Sequence, residues 1–197
     1  MDAVTQQHRH QLAVFRLAWL IGIAVLAALV AAAPARAQSC PGEQAVHAAA
    51  ASLQQAAASG RPEAFAAVID QHTDVSQLAM FALGPYRQAL PEARRSEYVQ
   101  LTRQFLGQFL ARRAGRIAGA QLEIVGCSSE SGYIYIDTRA GRQRVIWRLE
   151  GDRIIDVNAG GVWLMPQMRS NFVSVIQRGN GDPAALIDYL RSGRSFG

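Results

Sequence analysis

Lysine is absent from this chain: all 20 of its basic residues are arginine. Histidine occurs four times and cysteine twice, against 15 acidic residues. The net charge of +5 falls to +3 once Arg9, Arg16, Arg36 and Asp2 leave with the leader described below. So small a positive excess suits visits to an anionic membrane surface but gives no case for nucleic-acid binding. A solvated, arginine-rich surface accounts for it equally well. The chain also lacks the usual catalytic signatures. It holds no H-E-x-x-H and no phosphate loop, and Gly115, Gly119 and Gly126 are wrongly spaced for a dinucleotide turn. Internal repeats, low-complexity linkers and internal domain boundaries are missing too, which excludes solenoid and multidomain organisations.

The first 37 residues read as a leader. Arg9 and Arg16 precede an uninterrupted apolar run at 17–33, and Ala35-Arg36-Ala37 follows. A basic region, an apolar region and an A-x-A end predict a secretory signal peptide over residues 1–37, cut after Ala37. The competing reading is an uncleaved anchor, since residues 17–35 are uncharged and near the minimum length of a membrane span. Cys40 raises the thought of a lipoprotein, but Ala37-Gln38-Ser39 is a poor lipidation box and the reading is rejected. Residues 38–197 then form a single domain, long enough for one sizeable core. In an exported chain, an even cysteine count predicts a disulfide between Cys40 and Cys127. It would close a loop of about 87 residues, worth about 4–5 kcal/mol by chain entropy. The alternative is two buried thiols that never meet. A lone cysteine pair is a poor metal site.

Hydrophobic periodicity divides the remainder. An alanine-rich helix runs from Glu43 to Ala58 and is closed by Ser59-Gly60. Pro62 opens a second helix carrying Phe65, Val68 and Ile69, and Asp74 caps a third that ends at Gly84-Pro85. Residues 91–114 hold the longest helical stripe: Tyr98, Leu101, Phe105 and Phe109, widened by Leu106 and Leu110. The period then changes to two. Residues 120–127, 132–139, 143–149 and 153–158 read as four strands joined by short connections, hence antiparallel hairpins. Val145, Trp147 and Leu149 share one strand face while Arg144 and Arg148 share the other. The sheet thus has one apolar and one largely wet face. Pro166–Gln177 is an amphipathic helix, and Asp182-Pro183 caps a last one with Leu186, Ile187 and Leu190 inward. The expected fold is α+β: a curled four-stranded antiparallel sheet (NTF2-like), covered by N-terminal and C-terminal helices that enclose an apolar cavity.

Catalytic candidates are few. Asp70-Gln71-His72-Thr73-Asp74 holds metal-ligand types, but Asp74 reads better as a helix cap and His72 as a turn residue. His47 has no nucleophile nearby in sequence. Asp137 and Asp156 would have to meet across strands to act as a carboxylate pair. No metal, cofactor or catalytic residue is expected.

The segment from Asp156 to Leu190 resembles the end of the MlaC / toluene-tolerance (Ttg2D) family. The resemblance is carried by Asp156, Val157, Gly161, Val162, Leu164, Arg169 and Phe172, then Leu186, Ile187 and Leu190. Upstream, the Asp74–Gly84 segment followed by Tyr86-Arg87 and the Tyr98–Phe109 helix are similar to the same family. Trp163 stands where the family has a small residue; if the bulk at this junction is tuned to this protein's own lipid, Trp163 is the place where the tuning is expected. The resemblance implies a periplasmic phospholipid carrier, working between an outer-membrane lipoprotein complex and an inner-membrane ABC transporter with an MCE-domain subunit. A hopanoid-type lipid is the alternative cargo. The cavity wall would then be built from the apolar faces: Val145, Trp147 and Leu149 of the sheet, and Leu101, Phe105 and Phe109 of the long helix. Leu78 and Phe81 come from the third helix, and Val162, Leu164, Met165, Met168 and Phe172 from the strand-to-helix junction. Arg87 or Arg169 would meet the headgroup, unless Arg169 serves as a structural partner of Asp156. Two readings from other classes stay open: a small exported isomerase or hydrolase, marked by a buried carboxylate of raised pKa in its pocket, and a non-carrying adaptor, marked by a packed interior without a void.

Overall fold

The structure, a computed structural model, describes residues 40–194 and Phe196. The expected leader, residues 1–37, lies outside the described residues. Three helices come first: α1 (Glu43–Ser59), α2 (Pro62–His72) and α3 (Val75–Ala82). A 3-10 turn at Gly84–Gln88 leads into the long α4 (Glu92–Ala111) and the single turn α5 (Ala114–Ile117). Strands β1 (Leu122–Glu130), β2 (Tyr133–Ala140), β3 (Gln143–Glu150), β4 (Arg153–Ala159) and β5 (Val162–Trp163) form one sheet in sequence order. Helices α6 (Leu164–Arg178) and α7 (Pro183–Arg191) complete the chain. None of the described helices is long and apolar enough to cross a membrane.

The α+β architecture is the expected one, with a fifth strand added to the four. Gly160 and Gly161 take φ of 63° and 85°, the left-handed region that a tight hairpin turn demands. The turn folds Val162 and Trp163 back onto Ala159 and Asn158. A two-residue strand leaves no periodic trace in sequence, so periodicity cannot separate it from the strand-to-helix junction. All pairings are antiparallel. Register shifts at Ile124/Gly126 in β1 and at Arg148/Leu149 opposite β4 bend the sheet around the helices. Cys40 and Cys127 are joined as a disulfide with Cα atoms 5.8 Å apart, tying the start of α1 to β1.

Local chemistry explains the helix ends. Asp74 accepts the Gln77 N–H (2.9 Å) to cap α3, and Asp182 accepts the Ala184 N–H (2.8 Å) to cap α7. Helix α6 begins two residues before Pro166, which still sits in the first turn, where its missing N–H costs nothing. At Gly107 the backbones of α2 and α4 touch: an added Cβ would lie 2.5 Å from the Pro62 carbonyl oxygen.

The apolar interior falls into three clusters. The largest joins α3, α4, α6 and α7 around Leu83, Tyr98, Phe172, Ile176, Leu186 and Ile187. A second packs α1 on the sheet through Val46, Ala49, Ile136, Trp147, Leu149 and Ile154. The third holds α1 and α2 together through Ala56, Ala57, Phe65 and Val68. A domain of this size normally builds one contiguous core. Here it is divided into three, with Leu53 packed against both the second and the third.

Candidate functional site

A cavity of about 490 Å³ occupies the space where the three clusters would otherwise meet. Its wall takes Trp147 and Ile154 from the sheet, Ala49 and Leu53 from α1, Val68 and Ile69 from α2, and Leu78 from α3. Helix α4 contributes Phe105, Leu106, Phe109 and Leu110, and the β5–α6 junction contributes Val162, Leu164, Met165 and Met168. Phe196 closes one side, its ring 5.6 Å from that of Phe105 and 4.9 Å from that of Tyr189. The volume lies within the ordinary range of small-molecule sites. At roughly 30 Å³ per water-sized group it has room for about 16 methylenes. Two methionines let that wall repack around a flexible guest.

Most polar groups of the lining have hydrogen-bond partners within the protein. His72 is hydrogen-bonded to Ser52 Oγ (3.1 Å), and burial, with the Arg153 charge, pushes its pKa down. Thr73 Oγ1 donates to the Ile69 carbonyl (2.7 Å), and Gln167 Nε2 donates to Asn171 Oδ1 (3.2 Å). The indole of Trp147 donates to Thr138 Oγ1 (3.0 Å), which in turn donates to the Val145 carbonyl (2.8 Å).

Asp156 is the buried carboxylate that an enzyme would need, and burial does push its carboxyl up, against the opposing pull of backbone N–H groups and the Arg148 charge. Its Oδ1 accepts the N–H groups of Val157 (2.8 Å) and Met165 (3.0 Å), while Oδ2 accepts from Arg148 Nη2 (2.9 Å). Those bonds fasten β4 to the first turn of α6 and leave the carboxylate committed to structure. Asp137 is held elsewhere: Arg144 grips it through two nitrogens (2.9 and 2.6 Å) and keeps its carboxyl below the usual range. Among the described residues, no group of three or more His, Cys, Asp or Glu side chains is placed to hold a metal ion.

Eight of the thirteen expected wall residues line the cavity: Leu78, Phe105, Phe109, Trp147, Val162, Leu164, Met165 and Met168. The other five do not. Leu149 and Phe172 are fully buried in the clusters on either side, where they meet protein instead of void. Leu101 and Val145 are half-buried against those clusters, and Phe81 is 40 % exposed. Neither expected headgroup arginine is in the lining. Arg87 is exposed on the 3-10 turn, and Arg169 lies over the Phe81 ring at 5.1 Å, beside Gly84. The partner of Asp156 is Arg148, not Arg169. Trp163 points to the outer face of the sheet, where it stacks with Tyr135 (6.2 Å) and Arg148 (5.0 Å) and contributes nothing to the wall.

Sequence reasoning left out the α1–α2 side, Ile154, Ile155 and Val157 of β4, Phe196, and Arg113 in the turn after α4. For Leu53, Val68 and Ile69 the signal was present as ordinary helical spacing, but spacing does not say what an inward face will meet.

A family model described as MlaC protein matches residues 43–192. No curated protein matches the chain. Among solved structures, the fold is similar to that of a phospholipid-binding protein from Ralstonia solanacearum in complex with a phospholipid. The TM-score is 0.64 at 14 % identity, over 76 % of this chain and 92 % of the other. At that identity the likeness speaks for the fold. Since the family match runs from the first residue of α1 to the end of α7, the chain belongs to the MlaC family.

Proposed function

We propose that this protein is a periplasmic phospholipid carrier. It is exported by a signal peptide cut after Ala37, and residues 38–197 act as one lipid-binding domain. The observation that carries the reading is the apolar cavity of about 490 Å³, set between the sheet and five helices in a chain of this family. Each methylene left in water costs about 0.8 kcal/mol, so a chain of about 16 carbons exposes the lipid to a penalty of roughly 13 kcal/mol. A covered cavity removes that penalty during transit. Because membrane and cavity both shelter the tail, transfer between them is nearly neutral, and direction has to come from partners. We assign those partners as an inner-membrane ABC transporter with an MCE-domain subunit and an outer-membrane lipoprotein complex. The protein works by binding and release, not by catalysis, which fits the full engagement of Asp156. A non-carrying adaptor would have no use for so large a void.

Trp147 in the wall and Trp163 on the outer face make the test direct. Phospholipid with brominated acyl chains, offered in vesicles, should quench tryptophan emission in the wild type and in Trp163→Phe, but not in Trp147→Phe. Quenching that persists in Trp147→Phe, or none in the wild type, contradicts the reading.

A further inference from the structure

Among the described residues the lining holds one arginine, Arg113, and one histidine, His72. His72 is kept neutral near pH 7 by burial and by Arg153, so Arg113 is the fixed positive charge of the cavity. The residue is exposed, which places it on the rim. Its guanidinium lies flat on the Phe109 ring, 3.6 Å from the centroid, and Nη1 donates to the Phe109 carbonyl (2.9 Å). The stack and the bond fix the fork while its remaining donors stay unengaged, and a pre-organised fork is what planar recognition of a phosphate requires. Partial burial lowers its pKa, and two further arginines, Arg112 and Arg116, flank it closely enough for their charges to add to that lowering. No carboxylate lies within salt-bridge distance of these three arginines among the described residues. The other nitrogen donors with ring systems at the cavity, His72 and Trp147, are engaged by Ser52 and Thr138. Three uncompensated cations beside an apolar void form a site for one compact anion that carries an apolar tail.

We infer that Arg113, supported by Arg112 and Arg116, holds the phosphate diester of the bound lipid and makes the carrier select phosphate-bearing lipids over uncharged ones with the same tails. This rests on the carrier reading and adds a headgroup contact to it. The chemistry recognised is a phosphate monoanion, whether on a lipid or as the free ion.

The test uses phosphatidylglycerol vesicles doped with diacylglycerol of identical acyl chains, so that any attraction between protein and surface is common to both lipids. Bound lipid is extracted and its ratio normalised to that of the vesicles. Wild type should be enriched in phosphatidylglycerol. Arg113→Gln should lower the enrichment on the order of tenfold, the worth of one charged hydrogen bond, while diacylglycerol loading stays level. Arg113→Lys should restore part of it, and the enrichment should weaken with added salt only in forms that keep the charge. Equal enrichment in wild type and in a protein carrying Arg112→Gln, Arg113→Gln and Arg116→Gln overturns the assignment. Binding of inorganic phosphate that depends on Arg113, without any lipid enrichment, gives the site to the free ion and also overturns it. A wild type that takes up neither lipid refutes the carrier reading itself.

Discussion

Substituting leucine for Ala49 separates a cavity built for a guest from a defect in packing. Ala49 lies on α1, is 2 % exposed and faces the void. Leucine adds three carbons there without disturbing helix propensity. If each added carbon displaces one methylene of the lipid, the guest loses about 2.4 kcal/mol of burial. That corresponds to about sixtyfold weaker binding. The empty protein should respond in the opposite sense. Filling an apolar void restores contacts that its lining lacks, so the melting temperature should hold level or rise by a few degrees. Vesicle uptake monitored by Trp147 quenching gives the affinity, and calorimetry of delipidated protein gives the stability. Val68→Phe, reaching in from α2, should behave alike. Unchanged affinity in both variants would refute the reasoning, as would a fall in stability of the empty protein equal to the loss in binding.

Three further outcomes follow from the packing. Replacing Cys40 and Cys127 by serine frees a loop of 87 residues, and should cost about 4.6 kcal/mol, or roughly 9–18 °C of melting temperature; a drop below a few degrees by calorimetry would contradict the chain-entropy account. Asp156→Ala strands two backbone N–H groups and Arg148, and should cost about 3–5 kcal/mol in denaturant titrations. Since burial raises the folded carboxyl above its ordinary 3.8, the contribution of Asp156 is full below that pH and declines as pH rises through the folded value. The advantage of wild type over Asp156→Ala should therefore be larger in acid than at neutrality, and a gap widening with pH would be the wrong sign. Gly107→Ala drives a methyl to 2.5 Å from the Pro62 carbonyl; it should destabilise by about 1–3 kcal/mol as α2 and α4 separate, and a neutral result would show that the helices part freely.

The change of hydrophobic period from helical to alternating near residue 120 carried the α+β class, because a strand face and a helix stripe leave different spacings. Asp74 and Asp182 carried the helix starts, since a capping carboxylate acts locally. The fifth strand was out of reach: its existence depends on two consecutive left-handed glycines, and a residue pair has no period. The cavity wall was half legible for a related reason. Periodicity tells which side of an element points inward, so Phe105 and Trp147 could be named. It cannot tell whether that side meets a void or a neighbour: Leu149, on the strand face of Trp147, and Phe172, on the helix of Met168, meet neighbours at 0 % exposure. Long side chains were hardest to place. Arg169, inside α6, stacks on Phe81, and Arg113, in the turn after α4, stacks on Phe109; only tertiary position puts the second of them on the rim. Trp163 shows the opposite error, since a departure from the family pattern drew attention to a residue that the hairpin turns outward.

The most direct test of the central claim is mass spectrometry of the exported protein, purified without detergent and sprayed under native conditions, with organic extraction of the same sample. The carrier account predicts a processed chain beginning at Gln38 that carries additional mass, identified on extraction as phospholipid and lost on delipidation. A chain without bound lipid, and without uptake when offered labelled vesicles, would contradict it.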